Sequence, residues 1–263
     1  GEDAIKRGYA VCFFPGVDSH HRDEDYPGYD NIWEDVRREY PKATWTEIST
    51  KAWLASRCID YLVSQSSVVN ISPGEIAIIG FSRYGKQAMI AAAFDERITC
   101  VVARSPGSPA SSPYRLTSRN TYAETPVDFP SEWFLPSLRK FVGRENELPI
   151  DAHGWYALIA PRACLIHTGH NDGSEPTFAV EKAYIEGRSV YQLLWESSDP
   201  LGPGWGTLRA VVARGLDHER PDSQHPGGHL VWNQLIDRIG GGAFAPGLYR
   251  LWRHVCASSR RRK

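Results

Sequence analysis

One serine in this chain stands where a hydroxyl can become a nucleophile. The run Ile78-Ile79-Gly80-Phe81-Ser82-Arg83-Tyr84-Gly85-Lys86 is an apolar strand pattern that ends in a Gly-x-Ser turn and passes into an Ala-rich helical pattern, Lys86 to Phe94. That is the context of a nucleophile elbow. The turn lifts the hydroxyl above the sheet, small neighbours let strand and helix approach, and the helix N-terminus offers N–H groups to a developing oxyanion. The common form of the elbow places Gly two residues after the Ser; here Tyr84 holds that place and Gly85 follows. A serine opening a helix also suits a capping role.

A nucleophilic serine needs a general base and an acid to orient it. In sheet hydrolases they follow in the order Ser, acid, His, each after a later strand. A further strand pattern, Ala163 to Gly169, leads into His170-Asn171-Asp172-Gly173, and Asp172 is the expected acid, with Glu175 as the alternative. Asp-Gly is equally a turn dipeptide. The last strand pattern, Leu208 to Arg214, leads to His218, the expected base, with His225 and His229 as alternatives in the same Pro/Gly-rich stretch. His20-His21 beside Asp23, Glu24 and Asp25 reads as a solvated loop, because adjacent side chains of an extended loop point apart. His153 reads as structural and His167 as packed within a strand.

These residues require a scaffold of short buried strands alternating with helices. Gly8 to Pro15, Glu75 to Gly80 and Ile98 to Ala103 supply further strand patterns. Trp45, Ile48, Ala52, Ala55, Ile59 and Leu62 recur at three- and four-residue steps, which predicts an amphipathic helix over 44–63. Helical patterns follow over 177–194 and 230–239. The strands are continuously apolar rather than alternating, as in a parallel sheet covered on both faces. The prediction is one α/β domain over residues 1–263, with 240–263 an irregular basic tail ending in Arg260-Arg261-Arg262-Lys263.

The composition narrows the classes. A length of 263 residues suits one α/β domain. The formal net charge of −1 gives no field to draw in nucleic acid or an anionic membrane, and no apolar window is long enough for a transmembrane helix. Nine Trp and twelve Tyr can pack a core or line a sugar cleft. Of five cysteines, Cys12, Cys100 and Cys164 lie in strand patterns as free core thiols, while Cys58 and Cys256 leave a bridge open. No spacing suggests zinc; hydrolysis by a serine needs neither a metal nor an organic cofactor, so none is expected, and a monomer is. The N-terminus has no signal pattern, which leaves the compartment open.

Gly80-Phe81-Ser82-Arg83-Tyr84-Gly85-Lys86 resembles the Gly-x-Ser-Arg-x-Gly-Lys signature of the glucuronoyl esterases, carbohydrate esterase family 15. The likeness extends over roughly residues 5 to 175. It includes Trp53, Ser56-Arg57, Asp60-Tyr61-Leu62, Phe94-Asp95-Glu96-Arg97, Phe129-Pro130 with Trp133-Phe134, Leu148-Pro149-Ile150-Asp151-Ala152-His153 and Ala157-Leu158-Ile159-Ala160-Pro161-Arg162. The resemblance implies an α/β-hydrolase-type, mostly parallel sheet flanked by helices, here lacking its opening strands. By the same resemblance Arg83 helps build the oxyanion hole, Lys86 hydrogen-bonds the hydroxyls of a uronate, and Glu124 and Trp133 are further sugar contacts. In those enzymes an acid can also follow the strand after the elbow; Arg104-Ser105-Pro106-Gly107 holds no carboxylate, which leaves the role to Asp172. The implied activity is hydrolysis of a carbohydrate ester through an acyl-enzyme, such as a 4-O-methyl-glucuronoyl ester joining xylan to lignin. An acetyl-sugar or other small-acyl esterase, and a non-catalytic carbohydrate-binding relative or inactive fragment, are the alternatives. Export from the cell is implied by the resemblance alone.

Overall fold

The computed structural model of the chain describes residues 2–14, 32–117, 124–127, 133–170, 172–197 and 208–213. In chain order they form α1 (Glu2–Lys6), α2 (Ile32–Glu39), α3 (Glu47–Ser64), α4 (Ser66–Val69), β1 (Ile76–Phe81), α5 (Arg83–Phe94), β2 (Ile98–Arg104), α6 (His153–Ile159), β3 (Ala163–Gly169), α7 (Thr177–Ser197) and β4 (Leu208–Ala213). The four strands pair in the order β1-β2-β3-β4, all parallel. Phe81 is in register with Arg104, Arg104 with His167 and His167 with Val211, so every strand delivers its C-terminal end to one edge of the sheet. That edge is where open α/β sheets bind ligands.

Helix α3 begins where Thr46 and Ser49 cap each other: Thr46 N donates to Ser49 Oγ at 2.8 Å and Ser49 N to Thr46 Oγ1 at 3.4 Å. Its Ile48, Ala52, Ala55 and Ile59 are buried, which is the stripe the spacing predicts. Trp45 falls just outside the helix, half exposed, its ring 5.7 Å from that of Trp53. Helix α5 packs on β1 and β2 and α7 on β3 and β4, with α6 between them and α3 against α5. The shared core contains Ile78, Met89, Val101, Ala103, Cys164, Ile166 and Val180. The alternate strand residues Cys100, Val102 and Ala163, with Ile79 and Leu165, form a second cluster. Both sides of the strands are therefore apolar, each buried Val or Ile contributing about 2 kcal/mol.

A charge cluster ties α3 to the α5–β2 turn. Arg97 bridges Asp95 at 2.7 Å and Asp60 at 2.6 Å, and Arg162 donates to the carbonyls of Asp95 and Ile98 at 3.1 and 2.9 Å. This network holds Asp95 down at a pKa of about 2, chiefly through its hydrogen bonds from Arg97, against the opposing effect of burial. The Asp95-Glu96-Arg97 and Ala160-Pro161-Arg162 blocks thus serve the framework rather than the chemistry.

Three expectations change. The run from Gly8 to Phe14 forms no strand: Gly8 N and Tyr9 N turn back onto the carbonyls of Ile5 and Ala4, the run joins no β-ladder among the described residues, and Cys12 and Phe13 are exposed. A short apolar run needs a ladder partner to hold it extended. Cys12 is consequently not a core thiol; its Sγ donates to the Phe13 carbonyl at 3.9 Å, Cys58 is a free thiol whose pKa is raised by burial first and then by Cys12, and Cys256 lies outside the described residues. The helix expected from Lys86 starts at Arg83, directly after the elbow. The expected helix over 230–239 and the tail 240–263 lie outside the described residues. No helix among those described is long and apolar enough to cross a membrane.

Candidate active site

Ser82 joins β1 to α5 with φ 54° and ψ −126°, a backbone conformation that non-glycine residues rarely adopt. Its side chain makes no capping hydrogen bond, which removes the capping explanation. Ser82 N donates to Arg104 O at 2.8 Å, while its own carbonyl accepts Gly85 N at 2.8 Å and Lys86 N at 3.1 Å. The strain is therefore held between the neighbouring strand and the first turn of α5.

The glycines explain why this elbow departs from the common form. A Cβ on Gly80 would meet the Tyr84 carbonyl oxygen at 2.0 Å, so the first turn of α5 sits on the end of β1. A Cβ on Gly85 would meet Pro106 Cβ at 2.9 Å. The close approach at this elbow is thus to the loop after β2, and the glycine stands where that loop passes, not beneath Tyr84.

The neighbours of Ser82 are organised by that loop. Arg83 follows Ser82, and its guanidinium lies over the Trp133 ring, 5.5 Å from the centroid. Trp133 is only 7% exposed and packs with Ile48, Tyr114 and Leu148. It is thus placed to support Arg83 more than to cover a sugar face. Lys86, 1% exposed, donates to Pro106 O at 2.5 Å and to Glu124 Oε2 at 2.6 Å. Burial lowers the Lys86 pKa and raises that of Glu124, and each opposes the other's shift through their ion pair. Gly107 (φ 68°) leaves no room for a side chain there, since its Cβ would meet Glu124 Oε2 at 2.0 Å. The pair's solvent-facing member is Glu124, with 24% of its side chain exposed.

The two carboxylates after β3 differ sharply. Asp172 Oδ1 accepts Ser174 N at 3.0 Å and Ser174 Oγ at 2.7 Å, a self-contained turn. Glu175 is fully buried; its Oε2 accepts Gly107 N at 2.9 Å and a short hydrogen bond from Ser111 Oγ. Its Oε1 has no hydrogen-bond partner among the described residues, although the Thr168 hydroxyl lies close enough to favour the ionised form. Burial pushes the Glu175 carboxyl up to about 7, against the opposing pull of Ser111, Thr168 and the Gly107 N–H. The loop after β2, through Gly107 and Ser111, is the cradle of that carboxylate.

The remaining expected residues fall as follows. β4 ends at Ala213, and His218, His225 and His229 lie outside the described residues, as do His20 and His21. His153 opens α6 with Nδ1 3.3 Å from Glu186 Oε2. His167 lies in β3 with its pKa pushed down to about 4, by burial first and then by Arg104. Among the described residues no group of His, Cys, Asp or Glu is placed to hold a metal ion.

A strained serine between strand and helix, at the carboxyl edge of a parallel sheet flanked by helices, defines the α/β-hydrolase class. Residues 32–194 match the family model described as glucuronyl esterase, fungi, and the chain belongs to that family. A 4-O-methyl-glucuronoyl methylesterase of Podospora anserina is 31% identical over 121 residues, 44% of this chain and 25% of the relative. A carbohydrate esterase family 15 glucuronoyl esterase from Caldicellulosiruptor kristjansonii superposes with a TM-score of 0.55 at 26% identity, covering 65% of this chain and 45% of that one. The glucuronoyl esterase catalytic domain from Hypocrea jecorina superposes at 0.57, covering 74% and 50%, and at 23% identity shares the fold. The chain spans between a quarter and a half of the length of these relatives.

Proposed function

We propose that this chain is a serine carboxylic ester hydrolase whose substrate is a carbohydrate ester, foremost a 4-O-methyl-glucuronoyl ester of the xylan–lignin kind. The observation that carries the reading is the Ser82 elbow: a positive-φ serine with no capping bond, followed by Arg83. Family membership and the names of its relatives, 4-O-methyl-glucuronoyl methylesterases among them, support the substrate class.

In this reading Ser82 Oγ attacks the ester carbonyl while His218 takes its proton. His218 returns that proton to the departing alcohol, leaving an acyl-enzyme on Ser82; water attacks this with the same base, and the free uronic acid leaves. The Arg83 N–H and guanidinium stabilise the oxyanion, where a fixed charge in a poorly hydrated site is worth more than in bulk water. The choice of His218 rests on its position in the sequence, in the first stretch after β4, and β4 ends at the same sheet edge as β1. Glu175 orients it in place of Asp172, because Asp172 is engaged in its own turn whereas Glu175 keeps a buried oxygen without a partner among the described residues. Glu124 meets the sugar hydroxyls, with Lys86 acting on them through it.

The test is turnover of a methyl glucuronate ester and of an acetylated sugar by wild type and Ser82→Ala. The reading expects hydrolysis of the glucuronate ester and its collapse by about four to six orders of magnitude in the variant. Undiminished turnover in the variant overturns the nucleophile, and a preference for the acetylated sugar overturns the substrate.

A further inference from the structure

We propose that Ser111 is a positioning residue: its hydroxyl, with the Gly107 N–H, holds one oxygen of Glu175 so that the other is presented to the general base. The inference rests on the reading of Glu175 as the orienting acid and goes beyond it by naming what aims that acid.

The two oxygens of Glu175 are treated unequally. Oε2 takes both donors, Gly107 N at 2.9 Å and Ser111 Oγ. Oε1, also buried, meets no hydrogen-bond partner at bonding geometry among the described residues; the Thr168 hydroxyl stands near the carboxylate without clamping that oxygen. A buried carboxylate oxygen left open is costly unless something fills the position. A carboxylate with one oxygen clamped and one open is also what an imidazole N–H requires of an orienting acid. Ser111 Oγ lies 3.3 Å from Gly107 O as well, but a hydroxyl has one proton, and the shorter contact to the carboxylate takes it.

Ser111 is itself immobilised from two sides. Its N donates to Gly107 O at 2.9 Å, and its carbonyl accepts the Tyr156 hydroxyl at 3.1 Å. Tyr156 is fully buried on α6 and wedged against α7, where a Cβ on Gly187 would lie 2.6 Å from Tyr156 Cβ. The result is a rigid path from α7 through Tyr156 and Ser111 to the acid. A serine suits position 111 because it donates without adding charge, so the carboxylate stays the dominant charge facing the base.

The experiment compares wild type, Ser111→Ala, Ser111→Thr, Glu175→Gln and the Ser111→Ala/Glu175→Gln double variant. Profiles of kcat/KM against pH are measured on a methyl glucuronate ester, with Tm alongside. Ser111→Ala is expected to lower kcat about 10- to 100-fold at pH 7 with KM little changed. Its acid limb should move up by about half to one pH unit, because the ionised carboxyl loses a donor. Ser111→Thr, which keeps the hydroxyl, should stay within about threefold of wild type, and Ser111→Ala should cost less than about twofold once Glu175 is Gln. If Ser111→Ala does not fold, Ser111→Cys, a weak donor of similar volume, must show the same limb shift. An unshifted limb, or an equal loss with and without Glu175, overturns the positioning role. A fully active Glu175→Gln overturns Glu175 as the acid, a separate failure, and takes the positioning role with it.

Discussion

The guanidinium of Arg83 rests over the indole of Trp133, 5.5 Å from the ring centroid, and that indole is fixed in a small apolar cluster with Ile48, Tyr114 and Leu148. The residue after Ser82, the proposed nucleophile, is thereby held by a packed aromatic face. A cation held this way costs little reorganisation when an oxyanion forms beside it. Arg83→Ala should lower kcat about 10²- to 10³-fold. Trp133→Ala should lower it less, by about tenfold, and add almost nothing in the double variant. Steady-state kinetics on the four proteins measures that coupling; strictly additive losses contradict it.

The Lys86–Glu124 pair should show the asymmetry of buried charges. Glu124→Gln removes the partner of an ammonium that is 1% exposed, and should cost about 2 kcal/mol of stability. Lys86→Met in the same background should recover much of it, while KM for the sugar ester stays raised. Chemical denaturation and KM together check this.

Glycine at 80 and 85 is a matter of space. Gly80→Ala would drive a methyl into the Tyr84 carbonyl at 2.0 Å and should destabilise by more than about 3 kcal/mol. Gly85→Ala meets a proline side chain at 2.9 Å, so it should cost about 1–2 kcal/mol and shift the loop that carries Lys86's acceptor, Pro106 O. Equal Tm values for the two variants would contradict this ranking.

Much of this arrangement is legible in the amino-acid sequence. The Gly80-x-Ser82 turn between strand and helix patterns is a local steric signature, and the order Ser82, acid loop, β4 follows from parallel topology. The role of Gly85 was not legible, because it depends on Pro106, which is distant in sequence. Asp172 and Glu175 were both visible as carboxylates after β3, but burial separates them, and burial is a property of the assembled fold. The sequence does not single out Ser111, because its contact with Glu175 spans 64 residues. The Gly8 to Phe14 run misled because its apolar content is that of a strand, while strandhood is decided by a pairing partner.

Asp95 and Glu175 should give opposite pH dependences of stability. Asp95 is lowered from 3.8 to about 2, so its contribution, on the order of 2 kcal/mol, is present above pH 4 and lost as pH falls toward 2. Glu175 is raised from 4.5 to about 7, so the folded state holds its proton more tightly and stability declines as pH rises through that window. Asp95→Asn should flatten the acid side of the stability profile, and Glu175→Gln should flatten the decline between pH 5 and 7. Denaturant midpoints across pH 2–8 measure both, and a Glu175→Gln profile parallel to wild type contradicts the second.

The most direct test of the central claim is active-site labelling. Folded protein is treated with a fluorophosphonate, which phosphonylates an activated serine hydroxyl with loss of fluoride, and the adduct is located by peptide mass spectrometry. The account predicts one adduct, on Ser82, formed rapidly in wild type and absent in Ser82→Ala. An unlabelled folded protein, or an adduct confined to another serine, contradicts it.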